Sequence, residues 1–455
     1  NQQAAAAAAA MNGNGHRVYG NANGSNGHHP PPATAGSRGP APQLSHTEQL
    51  NLYEACGLIL GANLNAIDQV GEQLRLLLER PLTALQALSA ERAAAEGVKG
   101  SGGSPPRPPS IDRYDSTAEA ARSNDAAFRI SVVAVVSKGF TSLPADSNLL
   151  QETFSRSTQV ALNAMASFGD SPEVRSKALM LLHRMVETLG EALLTHLDSA
   201  LPQLLTRADA KELIELITLI NQLVLKFRGR ILQPATALFS ALAAATFQHL
   251  QSLDAAIAAS SSASVPVVSA ASDDVRERRN LLRCFYSLVH SLVHSECTEV
   301  LSAPQNQAHM APSLRVLLSG CVEGPDLQLQ RQCFSILQRL VEMWVGNMPG
   351  FESFVLQEIL PVCFSAPAQP HFNLKDPHAL PLIETSAALQ KSILAKLGNE
   401  LVPYLRERLL PSLGCTPEVA NEYVRALCES DVRAFRDFIK GMLAQAQASA
   451  PAGGR

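Results

Sequence analysis

His290 and His294, in the run HSLVH, stand four residues apart, which puts two imidazoles on one helical face with a spacing that suits zinc. The glutamate of H-E-x-x-H is missing and no third ligand stands nearby, so the pair reads as one face of a packed helix. Eight cysteines lie at 56, 284, 297, 321, 333, 363, 415 and 428, none in C-x-x-C spacing, and read as free buried thiols. The chain holds no G-x-x-x-x-G-K-[ST] loop and no G-x-S-x-G elbow, and its Gly-rich runs near Gly24 and Gly100 follow no strand. These residues predict no catalytic site, no metal site and no cofactor, hence no enzyme. What remains is positive charge. Lys226, Arg228 and Arg230 crowd the run LVLKFRGRIL, and Arg276, Arg278, Arg279 and Arg283 follow a Ser/Ala-rich stretch. Clustered cations are candidate contacts for nucleic-acid phosphates. The competing reading is local: cations at a helix C-terminus suit the macrodipole, and Asp273, Asp274 and Glu277 would make the second cluster a solvated face.

Positioning those cations falls to the rest of the 455 residues. Apolar residues make up 46%, enough for a large core, while 17% are charged, low for a surface-rich fold. Lys plus Arg is 37 against 41 acids, a net charge of −4, so any polyanion site is a local face rather than a basic coat. Aromatics at 5% and a single Trp344 argue against a base-stacking platform. Ile231 to Leu253 lacks formal charge but carries Gln233, Pro234, Thr246, Gln248 and His249, so no membrane insertion is expected.

Apolar positions recur with helical period: Leu50, Tyr53, Leu58 and Ile59; then Ile67, Val70, Leu74, Leu77 and Leu78; then Phe128, Val132, Val135, Val136 and Phe140. Helix starts are marked at Ser171-Pro172-Glu173, Asp209, Asp326 and Thr416-Pro417-Glu418. A hydrophobic-Pro pair recurs at Leu201-Pro202, Leu360-Pro361, Val402-Pro403 and Leu410-Pro411, and Pro361 and Pro403 stand 42 residues apart, a two-helix HEAT step. Such a pair cannot bury its apolar face alone and must stack on neighbours. The expectation is an all-α HEAT-repeat superhelical solenoid over 46–443, with flexible insertions at 97–125 and 259–274. Disordered low-complexity tails are expected at 1–45 and 444–455. Because the first residue is Asn1, the chain reads as a fragment or a truncated gene model.

Four stretches, in order, carry a resemblance: ELIELITLINQLVLKF (Glu212–Phe227), LQRLVEMW (Leu337–Trp344), GFESFVLQEILPVCFSAPAQPHFNL (Gly350–Leu374) and LLPSLGCTPEVANEYVRALCESDVRAFRDFIKGML (Leu409–Leu443). From about Leu50 to Leu443 the chain resembles the C-terminal region of the exportin-T family, the tRNA exporters of the importin-β (karyopherin) superfamily. The resemblance implies a nuclear export receptor that binds mature tRNA cooperatively with Ran-GTP. It would pass the nuclear pore on nucleoporins, shuttle between nucleus and cytoplasm, and release cargo when Ran hydrolyses GTP. It also implies that the main Ran contact lies in an N-terminal part outside this chain. The alternative, motivated by the acidic balance and the few aromatics, is a HEAT scaffold that binds proteins only.

Overall fold

The computed structural model describes residues 44–99, 109–144, 146–262, 268–324 and 326–449, all within the compact unit that begins at His46 apart from Leu44 and Ser45. Residues 1–43 and 450–455, and with them most of the expected tails, lie outside the described residues. No strand occurs among those described.

The helices are α1 (His46–Ala62), α2 (Ile67–Lys99), α3 (Pro109–Val136), α4 (Asn148–Ser167), α5 (Pro172–Thr188), α6 (Leu194–Thr206), α7 (Ala210–Phe227), α8 (Leu232–Ser262) and α9 (Val268–His294). They continue with α10 (Glu299–Ser302), α11 (Gln307–Val322), α12 (Leu327–Trp344), α13 (Phe351–Phe354), α14 (Leu360–Ser365), α15 (Ala379–Leu397), α16 (Leu401–Tyr404), α17 (Leu410–Ser412), α18 (Pro417–Glu429) and α19 (Val432–Ser449). Packing sorts them into two layers. One contains α2, α4, α6, α8, α11 and the broken segments α13–α14 and α16–α18. The other runs α1, α3, α5, α7, α9, α12, α15 and α19, each helix packed on the next. Pairs such as α4 with α5 and α11 with α12 bridge the layers, so the chain is the HEAT-type all-α solenoid that its periodicity predicts. One continuous core fills the space between layers, from Leu74 and Leu78 through Phe154, Leu216 and Phe285 to Phe334, Ile393 and Phe435.

The starts read from sequence are made by side chains. Ser171 accepts from the Val174 N–H, Asp326 from Leu329 and Thr416 from Val419. Asp209 and Glu212 form a complete capping box. The 42-residue step needs correction. π-Helical turns at Val355–Ile359 and Leu405–Leu409 each lead directly into a Leu-Pro pair, Leu360-Pro361 and Leu410-Pro411. Equivalent prolines are therefore Pro361 and Pro411, and Pro403 lies ahead of the second turn. Proline supplies no N–H and crowds the carbonyl four residues back, and a widened turn accommodates both defects.

The insertions are shorter than expected. Helix α2 persists to Lys99 and α3 begins at Pro109, leaving 100–108 outside the described residues. Within 97–125, Arg122 pairs with Glu119, and Asp125 pairs with Arg129 just beyond; Ala126 and Ile130 are buried one turn on. Similarly α8 reaches Ser262 and α9 starts at Val268, so only 263–267 fall outside. Helix α19 continues through Ser449, beyond the expected start of the tail at 444.

Four cysteines (Cys297, Cys321, Cys333, Cys363) are buried, but Cys56 and Cys428 are exposed because each lies on the outward side of its helix. No group of metal-binding side chains occurs among the described residues, and His290 stacks on His294 at 4.0 Å instead. No described helix is long and apolar enough to cross a membrane. Trp344 is buried edge-on against Phe351, 5.2 Å between centroids.

Candidate nucleic-acid interface

The cations singled out by sequence all lie on or beside the layer that runs from α1 to α19, and most of them face a carboxylate on a neighbouring helix. His183, Glu187 and Glu191 step along α5 and the turn after it at four-residue intervals, and so do Gln222, Lys226 and Arg230 along α7 and its exit. The two rows meet. His183 Nδ1 lies 2.9 Å from Gln222 Oε1, Lys226 Nζ donates to Glu187 Oε2 at 2.6 Å, and Arg230 pairs with Glu191. Arg228 stands apart. It closes α7 with φ of 48°, its side chain is exposed, and it forms no ion pair among the described residues.

In the second cluster Arg276 pairs with Asp273 at 2.9 Å, and Arg278 bridges Asp254 at 2.5 Å and Glu323 at 3.9 Å. Arg283 donates to Asp326 at 2.5 Å. Arg279 is exposed without an ion pair among the described residues. Burial raises the Asp326 carboxyl, but the Arg283 guanidinium and the Leu329 and Gln328 N–H groups outweigh it and hold the group below its ordinary value.

The structure does not merge the clusters. Thr218 Oγ1 of α7 touches Cys284 Sγ of α9 at 4.0 Å. Lys226 lies beyond that contact toward the helix C-terminus, while Arg276 to Arg283 lie before it. Contacts between α5 and α7, and between α9 and α12, advance in the same chain direction, so the helices are parallel. The clusters therefore do not coincide: Lys226 lies near the C-terminus of α7, and Arg276 to Arg283 lie in the first two-thirds of α9.

Further along the layer several rungs engage neutral partners. Gln332 Nε2 donates to Ser287 Oγ at 3.4 Å, Arg331 Nε to Thr385 Oγ1 at 3.3 Å, and Gln338 Nε2 to Ser392 Oγ at 3.2 Å. Between α9, α12 and the start of α15 these helices leave a cavity of about 500 Å³, lined by His290, Gln328, Arg331, Gln332, Ser335 and His378 among others. Burial, with the neighbouring His294, pushes His290 down to about 4, so its imidazole is neutral at physiological pH. Of these residues the sequence singled out His290 alone, and for a zinc-like spacing rather than for this cavity. The run LQLQRQ carries a faint signal, since three glutamines flank one arginine, but nothing in it points to His290 or His378.

Stacked helix pairs in two layers, a shared core and a polar face that crosses several helices define a HEAT-type repeat protein, a class that binds macromolecules over extended surfaces. The family model of Exportin-T matches residues 116–447, and the chain belongs to the exportin-T family. Human Exportin-T is 34% identical over 269 residues, covering 59% of this chain and 26% of the relative. Exportin-T of Arabidopsis thaliana is 25% identical over 413 residues, covering 88% of this chain and 39% of the relative. Exportin-T of Dictyostelium discoideum is 23% identical over 420 residues, 89% and 36%. The chain thus spans between a quarter and two-fifths of the length of these curated relatives.

Proposed function

We propose that the protein is part of a nuclear export receptor for tRNA, acting by binding rather than catalysis. Membership of the exportin-T family carries the reading. A folded tRNA presents phosphates and 2′-hydroxyls on an A-form surface, and a polar wall crossing several helices is suited to that shape. Ran-GTP binds cooperatively with tRNA, its main contact lying outside these residues, and nucleoporins carry the complex as it shuttles between nucleus and cytoplasm. GTP hydrolysis on Ran releases the cargo. The coupling is reciprocal, each ligand tightening the other by the same factor.

On this reading Arg228 and Arg279 meet phosphates directly. Lys226, Arg230, Arg276, Arg278 and Arg283 do so by exchanging a carboxylate for a phosphate. Fluorescence anisotropy of labelled tRNA against the receptor, with and without Ran-GTP, tests it. The expected result is tRNA affinity that rises with Ran-GTP and falls steeply with salt. Recovery of protein partners without RNA, with Ran-GTP present, would replace it by the protein-only scaffold. Arg228→Glu with Arg279→Glu lowers affinity and flattens the salt slope by about two charges; an unchanged slope removes both from the site.

A further inference from the structure

The basic clusters are not the part of this layer best prepared for an anion. Five of their seven cations already have a carboxylate within ion-pair distance. Arg331 differs. It is exposed, its Nε is held by the neutral Thr385 hydroxyl, and it forms no ion pair among the described residues. It also stands in a cavity rather than on an open helix surface, and no acid is among the residues lining that cavity. The nearest acids in sequence are engaged elsewhere: Asp326 holds Arg283 and the Leu329 N–H, and Asp376 accepts the N–H of His378.

We infer that the cavity lined by His290, Gln328, Arg331, Gln332, Ser335 and His378 is a contact site for the sugar–phosphate backbone of RNA. The inference rests on the reading of the chain as a tRNA receptor and names where that receptor holds its cargo. Arg331 supplies the charge for one phosphate: its two terminal nitrogens make no hydrogen bond or ion pair among the described residues, while Nε anchors the plane on Thr385. The groups around it both donate and accept: two amides, a hydroxyl and a neutral imidazole at His290. A ribose 2′-hydroxyl likewise donates and accepts, so this lining matches ribose next to phosphate. A run of carboxylates in an acidic protein segment only accepts, and would leave the acceptor half of each amide unused. Three helices contribute the lining. The Gln332–Ser287 and Arg331–Thr385 rungs link helices that are already packed on one another, so the lining is assembled before cargo arrives.

The test uses the receptor with the N-terminal part that carries the main Ran contact, labelled tRNA and Ran-GTP. Arg331→Gln keeps an exposed polar side chain, and circular dichroism and thermal unfolding should match the parent. Its tRNA affinity should fall by about 10-fold or more, as for loss of a charged hydrogen bond. Its log–log salt slope should shrink by about one. Gln328→Ala with Gln332→Ala should lower affinity while leaving the slope unchanged. If the parent binds tRNA and Arg331→Gln binds it equally well with the same slope, the cavity is overturned and the receptor reading stands. If the parent binds no tRNA even with Ran-GTP, both fall. If Arg331→Gln weakens capture of polyglutamate but not of tRNA, the cavity belongs to an acidic protein segment and the inference is wrong.

Discussion

Helices α5 and α7 are joined by ion pairs at both ends, and the two ends differ in burial. At one end Arg175 and Glu212, each with 9% of its side chain exposed, make parallel hydrogen bonds of 3.1 and 3.0 Å, and Arg175 also donates to the Gly169 carbonyl at 2.6 Å. At the other, Lys226 and Glu187 are 32% and 45% exposed, and Arg230 and Glu191 are 65% and 57% exposed. A buried pair with its remaining donors satisfied is strongly coupled, and removing either partner strands a charge in the core. An exposed pair is screened by water and is worth little. The first therefore holds neighbouring repeats in register, while the second is cheap to open and leaves its cations exchangeable.

The largest expected effect lies at the buried end. Glu212→Ala strands Arg175 and also removes half of the capping box, and should destabilise the protein by about 3–5 kcal/mol. Urea unfolding would measure it, and a loss below about 1 kcal/mol would erase the contrast between the ends. Next comes Asp209→Ala, which deletes the cap but leaves the Arg175–Glu212 pair and should cost about 1 kcal/mol in the same assay.

Half-buried His290 falls between the two regimes. Its folded value of about 4 lies below its ordinary 6.5, so the unfolded chain binds the extra proton first. Its contribution to stability is complete above pH 6.5 and is lost as pH falls toward 4. Unfolding midpoints across that window should drop less steeply in His290→Gln than in the parent, and parallel profiles would show that burial there is not felt. The smallest stability effect is Glu187→Ala, within about 1 kcal/mol of the parent. On the proposed function the same change releases Lys226, and tRNA binding should tighten with a salt slope steeper by about one. Weaker binding would mean that the exposed rung is structural after all.

Much of the framework was legible along the chain. The starts at Ser171, Asp209, Asp326 and Thr416 were readable because a cap acts over three residues. The boundaries of 97–125 and 259–274 were not, because Gly/Ser/Pro and Ser/Ala runs carry no apolar period to mark where a helix stops. The step of the Leu-Pro pairs was misread at Pro403 because a π-turn leaves no mark in apolar periodicity.

The candidate site was less legible still. Lys226 and Arg230 look like an open cluster in sequence, yet their carboxylates lie 39 residues away on the preceding repeat. Residue type and period alone determined that this chain is helical, paired and stacked, since capping and amphipathicity act within one or two turns. Which cations are neutralised, and where a donor-rich cavity opens around Arg331, was decided only when α9, α12 and α15 came side by side. Coulombic pairing and cavity shape depend on distances across helices, and the linear order of residues does not contain those distances.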